Sequence, residues 1–296
     1  MTEQGRTVMV LSGGASRGAA QIGMLRALLE RDIVPDHLVG TSVGALNAAF
    51  VSCDPTPARV DELHEGWRGL SGGTIFPGGT LTRVRHLMRR RPYLYDNANL
   101  AGLIDDWVPF ERVEDLPTPV RIVTSELGSG LPSYHDSGAL RDVLLASTAL
   151  PAVFPPVRLS SPLTGEESIH VDGGITDNVP LAGAVDLEPT TVYVLNVSPP
   201  VRARAPRNPI DVLIMSLGAS MRLRPVVDLG PQTRVVQLTF PELDVPMTDF
   251  TQTDALVEAG HEAAAAVLDT VAAESAEVPR LRLLPGLRRR SREQVA

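Results

Sequence analysis

Gly40-Thr41-Ser42-Val43-Gly44 places a serine between glycines two residues before and two residues after it. His37-Leu38-Val39 leads in, and Ala45-Leu46-Asn47-Ala48-Ala49-Phe50-Val51 leads out. The approach is short and mostly apolar, and the exit is rich in helix formers, so the order reads strand, sharp turn, helix. Such a turn strains the serine backbone and presents its hydroxyl at a helix N-terminus. Small flanking residues let strand and helix come close. The plainer reading is a tight turn with an N-capping serine. The rest of the chain decides between them by supplying, or failing to supply, a base and an oxyanion site.

Upstream, Thr7-Val8-Met9-Val10-Leu11 reads as a buried parallel strand running into Ser12-Gly13-Gly14-Ala15-Ser16-Arg17-Gly18. Ala19, Ile22, Leu25, Ala27, Leu28 and Leu29 then recur at helical spacing. With the Ser42 turn, this makes a βαβα unit and predicts a parallel sheet. Adjacent strands would set the glycine loop beside Ser42, at the C-terminal edge of the sheet where open α/β folds bind ligands. Gly13, Gly14 and Ala15 carry little side-chain bulk, so their N–H groups are candidate donors to an oxyanion. A structural glycine turn is the alternative. A G-x-G-x-x-G fingerprint fails in register, and a phosphate-binding P-loop lacks its lysine. Arg17 puts a cation at a helix N-terminus, where it is poorly placed. That suggests a task, and orienting the loop is favoured over meeting an anionic substrate.

All 27 basic residues are arginine, which excludes Schiff-base, P-loop-lysine and Ser-Lys chemistry. The net charge of −8 argues against a general nucleic-acid binder. A single cysteine, Cys53, makes no internal disulfide and reads as a small residue at a helix end. Residues 1–6 lack a signal-peptide pattern and no run of 18 apolar residues occurs, so a cytoplasmic protein, peripheral at most to a membrane, is expected.

Downstream of Asp54-Pro55-Thr56-Pro57, residues 58–116 read as a helical insertion, with helices over 58–70, 80–91 and 97–107. Strands are expected at 120–124, 168–171, 191–197 and 234–239, and helices at 138–149, 209–222 and 254–273. Residues 154–157 read as extended and 199–209 as a proline-rich loop. The expected organisation is one α/β unit over 5–275 and an arginine-rich tail over 276–296.

Ser42 needs a base. Histidine is the usual one, and His170 and His135 are candidates; His170 shares a strand face with Asp172. Asp172 ends a strand and precedes Gly173-Gly174, a turn that exposes a carboxylate; Asn178 and Pro180 follow. A carboxylate beside a serine can act as base if burial raises its pKa. His170-x-Asp172 and His135-Asp136 extend to no larger metal-ligand cluster, so neither metal nor cofactor is expected.

These motifs together resemble the patatin-like phospholipase family. Ser12-Gly13-Gly14-Ala15-Ser16-Arg17-Gly18 resembles its oxyanion loop, and Gly40-Thr41-Ser42-Val43-Gly44 its nucleophile elbow. Asp172-Gly173-Gly174 with Asn178 and Pro180 resembles its aspartate segment. Ala146-Ser147-Thr148-Ala149-Leu150-Pro151 with Phe154-Pro155-Pro156 resembles the connector ahead of it. The likeness covers residues 7–200, with a weaker echo to about 270 around Leu256-Val257-Glu258-Ala259-Gly260-His261.

The resemblance implies a three-layer α/β/α fold with a mostly parallel sheet, and hydrolysis of lipid acyl esters of the phospholipase A or lysophospholipase type. It also implies a Ser42–Asp172 dyad without histidine, and an oxyanion hole at Gly13, Gly14 and Ala15. Arg17, Gly18, Gly40, Gly44, Gly173 and Gly174 support the motifs. Ala15 departs from the family, which often has glycine there, so the fit of substrate at that point is expected to differ. Two alternatives stay open: a Ser-His-Asp esterase or thioesterase using His170, and a non-catalytic lipid-binding protein. A lipid substrate implies transient contact with a membrane or micelle surface. Residues 72–95, with Phe76, Tyr93, Leu94 and Tyr95, are the candidate lid. The five arginines from Arg83 to Arg91 and the tail arginines read as a solvated face and end, or else as contacts to anionic lipid.

Overall fold

A computed structural model describes residues 5–76, 91–161, 164–198, 205, 209–222, 226–240, 245–246 and 249–277. The first strand, β1 (Thr7–Leu11), passes through a 3-10 turn (Ala15–Gly18) into α1 (Ala19–Leu29). Next come β2 (His37–Thr41) and α2 (Val43–Ser52). β1 and β2 pair in parallel with Leu11 opposite Gly40, so the glycine loop and the Ser42 turn leave the sheet side by side.

The insertion holds α3 (Pro57–Arg68), α4 (Gly72–Ile75) and α5 (Ala98–Trp107). Thr56 caps α3 by accepting the Arg59 N–H, and Pro57 occupies the first turn. After it come β3 (Val120–Glu126), β4 (Pro132–His135), α6 (Leu140–Ser147), β5 (Val157–Ser160), β6 (Glu167–Asp172) and α7 (Gly174–Asp177). A 3-10 segment (Leu181–Leu187), β7 (Thr191–Asn196), α8 (Pro209–Ser220), β8 (Arg234–Thr239) and α9 (Thr253–Glu277) complete the described chain.

Among the described residues the strands form one eight-stranded sheet, in the order β5-β6-β3-β2-β1-β7-β8, with β4 also on β3. β3, β2, β1, β7 and β8 run parallel, and β4, β5 and β6 make an antiparallel wing. Parallel strands are covered on both faces and therefore read as continuous apolar runs. Met9 and Leu11 enter the larger core with α1, α2 and α9. Val8 and Val10 enter a smaller core with Val39, Val123, Val192 and Ala184 of the 3-10 segment. The layers are unequal, but the arrangement is the three-layer α/β/α fold.

α1 and α9 cross with their backbones in contact. A methyl on Gly23 would collide with the Val257 carbonyl, and one on Gly260 with the Ala20 carbonyl. Only glycine permits that approach.

The structure departs from the sequence reading in several places. β4 and β5 are not among the expected strands. β4 turns Ser133 and His135 inward, so it has no apolar alternation, and β5 has only four residues. The helix expected from 138 begins at Leu140, because Gly138 has φ 120° and Ala139 is extended. Residues 154–156 precede the strand; Phe154 N–H closes a turn onto Leu150 O. The helix expected over 80–91, the arginines at 83–90, most of the 199–209 loop and residues 278–296 lie outside the described residues. So do residues 77–90 of the candidate lid. Its described ends meet the connector: Phe76 stacks on Phe154 and meets Tyr95 edge-on, each with centroids 5.5 Å apart. Leu94 N–H and Tyr95 N–H donate to Ala152 O and Val153 O.

Candidate active site

Ser42 sits between β2 and α2 with φ 55° and ψ −126°, and its side chain makes no capping bond to the helix. A serine held at positive φ costs about 1–3 kcal/mol. The turn is held by close packing. A methyl on Gly44 would collide with Leu11 O, and one on Gly40 would lie 2.6 Å from Ala45 Cα. Ser42 N–H donates to Ser147 Oγ at 2.9 Å, and Ser147 Oγ–H donates to Val123 O at 2.7 Å.

Ser42 Oγ–H donates to Asp172 Oδ2 at 2.7 Å. Asp172 is fully buried at the end of β6, opposite Thr124 of β3. Its Oδ1 accepts the Gly174 N–H at 2.8 Å, and its own N–H donates to Ala149 O at 2.9 Å. Gly173 lies so close to Val123 O that a side chain would not fit. Gly173 N–H reaches Ser147 O at 3.3 Å. One residue of the connector, Ser147, thus holds Ser42 with its side chain and the Asp172 turn with its carbonyl. The sequence marks this connector only as a resemblance; the burial of a small hydroxyl leaves no pattern of its own.

Burial raises the Asp172 pKa from 3.8 to about 6, and the bonds from Ser42 and Gly174 pull it partly back. Asp177, which accepts a bond from Tyr134 Oη at 2.7 Å, is raised to about 6 by the same cause. Both groups favour the neutral acid in the fold. They therefore cost stability above about pH 6, and that cost is relieved as pH falls toward 4. Activity should run the opposite way if Asp172 serves as base. The ascending limb of kcat/KM should have its midpoint near pH 6 and fall about tenfold per unit below it. A pH–rate profile, with circular dichroism at each pH to confirm folding, tests this; a limb near pH 4 would contradict it.

The glycine loop lies against this pair. Gly13, expected to donate to an oxyanion, instead gives its N–H to Asn178 O at 3.0 Å. A methyl there would lie 3.3 Å from Ser42 Cβ. Among the described residues the N–H groups of Gly14 and Ala15 donate no backbone hydrogen bond. Ala15 has φ 51°, the left-handed conformation for which glycine is suited.

Arg17 is buried. Its Nε donates to Val197 O at 3.2 Å and its guanidinium lies 5.0 Å from the Phe240 ring centre, which ties the loop to the end of β7. Gly18 is packed under Val43 and Trp67. A buried chain of hydrogen bonds runs beneath the loop: Trp67 Nε1–H to Asn47 Oδ1, Asn47 Nδ2–H to Gln21 Oε1, and Gln21 Nε2–H to Ser12 O. Nothing in the sequence singles out these amides.

The histidines lie elsewhere. His170 Nδ1 pairs with Thr124 Oγ1 at 2.9 Å and Nε2 with Ser168 Oγ at 2.8 Å, while His135 Nε2 also meets Thr124 Oγ1. Burial lowers both pKa values, that of His135 to about 4. Neither ring nitrogen of His170 is bonded to Ser42 or Asp172. Among the described residues no three His, Cys, Asp or Glu side chains cluster as metal ligands.

Ser42 opens onto an apolar cleft, which sequence reasoning missed. α2 contributes Val43 and Leu46, α3 Trp67, and α5 Leu100, Leu103 and Trp107. Its walls come from segments far apart in the chain, so no local pattern announces them. No helix among the described residues is long and apolar enough to cross a membrane.

The patatin-like phospholipase family profile matches residues 9–185. Patatin-like phospholipase domain-containing protein 7 of Mus musculus is 27% identical over 193 residues, 64% of this chain and 13% of that protein. Lysophospholipase nte1 of Aspergillus terreus is 26% identical over 201 residues, 65% of this chain and 12% of its own length. An uncharacterized NTE family protein of Mycobacterium bovis is 29% identical over 289 residues, 88% of this chain and 46% of that protein. The chain thus spans about an eighth of the length of the animal and fungal relatives and under half of the bacterial one. Among solved structures, VipD of Legionella pneumophila is similar with a TM-score of 0.44 at 14% identity, over 90% of this chain and 67% of that one.

Proposed function

Because the chain belongs to the patatin-like phospholipase family, we propose that it is a serine hydrolase of lipid acyl esters that works through Ser42 and Asp172. The observation that carries this reading is the 2.7 Å bond from Ser42 Oγ to a buried carboxylate, at the mouth of an apolar cleft. Asp172 takes the hydroxyl proton as Oγ attacks the ester carbonyl. The N–H groups of Gly14 and Ala15 stabilise the charge on the carbonyl oxygen. The proton passes from Asp172 to the departing alcohol. Water, deprotonated by Asp172 in turn, then attacks the acyl carbonyl, and the acid leaves as that proton passes from Asp172 to Ser42 Oγ. The reaction uses residues 5–275 as one unit and requires brief contact with the surface of a membrane or micelle that holds the substrate. The lysophospholipase among the relatives supports a lipid with a scissile acyl ester.

A fluorophosphonate probe tests the reading. It should label the protein at one equivalent, with the adduct on the peptide that carries Ser42. Turnover of acyl esters without labelling at Ser42 would remove the hypothesis.

A further inference from the structure

The cleft beside Ser42 has a direction, and its depth sets a length. α2 starts directly after Ser42 and forms one wall. Val43 and Leu46, three residues apart on that helix, face the cleft; Phe50, one turn further on, does not line it. At about 1.5 Å per residue, Leu46 stands roughly 6 Å and Phe50 roughly 12 Å beyond Ser42. α5 forms the facing wall, with Leu100, Leu103 and Trp107 on one stripe. Its far end meets the far end of α2: the Trp107 ring lies edge-on to Phe50, 5.5 Å between centres and 74° between planes.

That corner is braced from α3, although Trp107 itself is only partly buried. A methyl on Gly66 of α3 would lie 3.1 Å from the Trp107 ring. Arg59 donates from Nε to Phe50 O and from Nη2 to Trp107 O, and its guanidinium sits 3.7 Å from the Phe50 ring centre. The indole is therefore held against Phe50 and α3 at the end of the cleft.

We propose that Trp107 is the floor of an acyl-chain site and makes the protein selective for medium-chain acyl esters. Of the roughly 12 Å along α2, about 4 Å is taken up by contact with the ring, which leaves about 8 Å. C–C bonds of about 1.5 Å advance a zigzag chain by roughly 1.3 Å per carbon, so about six carbons fit beyond the carbonyl. The site takes acyl chains of about six to eight carbons; a longer chain must leave its end in the mouth. The inference rests on Ser42 being the acylated residue.

The test uses p-nitrophenyl esters of 4, 6, 8, 10, 12 and 16 carbons at a fixed mole fraction in non-ionic micelles. Burial of a methylene is worth roughly fourfold in kcat/KM. The wild-type value should climb with length to about eight carbons and then stop or fall. Trp107→Ala should carry the climb about three or four carbons further, raising the ratio of 12-carbon to 8-carbon kcat/KM at least about tenfold. Trp107→Phe keeps an aromatic contact with Phe50 and should shift the optimum by a smaller step in the same direction. A wild-type optimum at 16 carbons, or variants that change all lengths in parallel, overturns the proposal while leaving the hydrolase reading intact. No turnover at any length, without labelling at Ser42, overturns both.

Discussion

Ser42→Ala is expected to lower kcat/KM for acyl esters by about 10⁴-fold or more and to abolish fluorophosphonate labelling. Removing the nucleophile leaves the oxyanion donors and the cleft, which can bind an ester but form no acyl intermediate. The fold should survive. The substituted residue inherits the positive φ of Ser42, so the strain is unchanged, and the bond from Ser147 Oγ uses the backbone N–H. The lost contact leaves Asp172 Oδ2 without its donor, which costs about 1–3 kcal/mol while the carboxylate is charged. Thermal unfolding should therefore show a modest loss that shrinks below pH 6. A Ser42→Ala variant that still hydrolyses esters at more than about a hundredth of the wild-type rate would place the nucleophile elsewhere.

The second large effect separates a dyad from a triad. Asp172→Asn preserves shape and the Gly174 N–H contact, but an amide cannot take a proton; kcat should fall by about 10³-fold or more with KM little changed. His170→Ala should leave kcat within a few-fold. It would empty a buried site, remove the ring partner of Ser168 and leave Thr124 bonded to His135 alone, so its cost should appear in stability instead. The comparison needs both variants at one temperature, well below either midpoint of unfolding. If His170→Ala is folded and yet loses activity as deeply as Asp172→Asn, the base is the imidazole.

Much of this site was legible because its geometry demands particular small residues. Gly40, Gly44 and Gly173 each touch a backbone atom where any side chain would collide, and such positions leave a mark in the sequence. The parallel strands were legible as apolar runs for a related reason: both faces are covered. The supports were not legible. The Asn178 carbonyl claims the Gly13 N–H through a main-chain contact that any residue could make. Ser147 does its work through one hydroxyl among many serines. β4 and β5 are short and half-polar, and they take shape only because β3 and β6 offer them an edge. The apolar cleft is assembled from α2, α3, α5 and the connector, so its character is spread over segments distant in the chain.

The crossing of α1 with α9 bears on when the protein becomes competent during its synthesis. The glycine loop feeds directly into α1, and α1 seats Gly23 against the main chain at Val257. That partner leaves the ribosome long after α1 itself. A nascent chain therefore carries Ser42, Asp172 and the loop before the helix that braces the loop exists. Closing so long a separation is slow relative to local folding, so α9 is expected to set when the loop is braced. A stalled nascent chain ending before Thr253 should resist the fluorophosphonate probe, whereas release of the full chain should admit it.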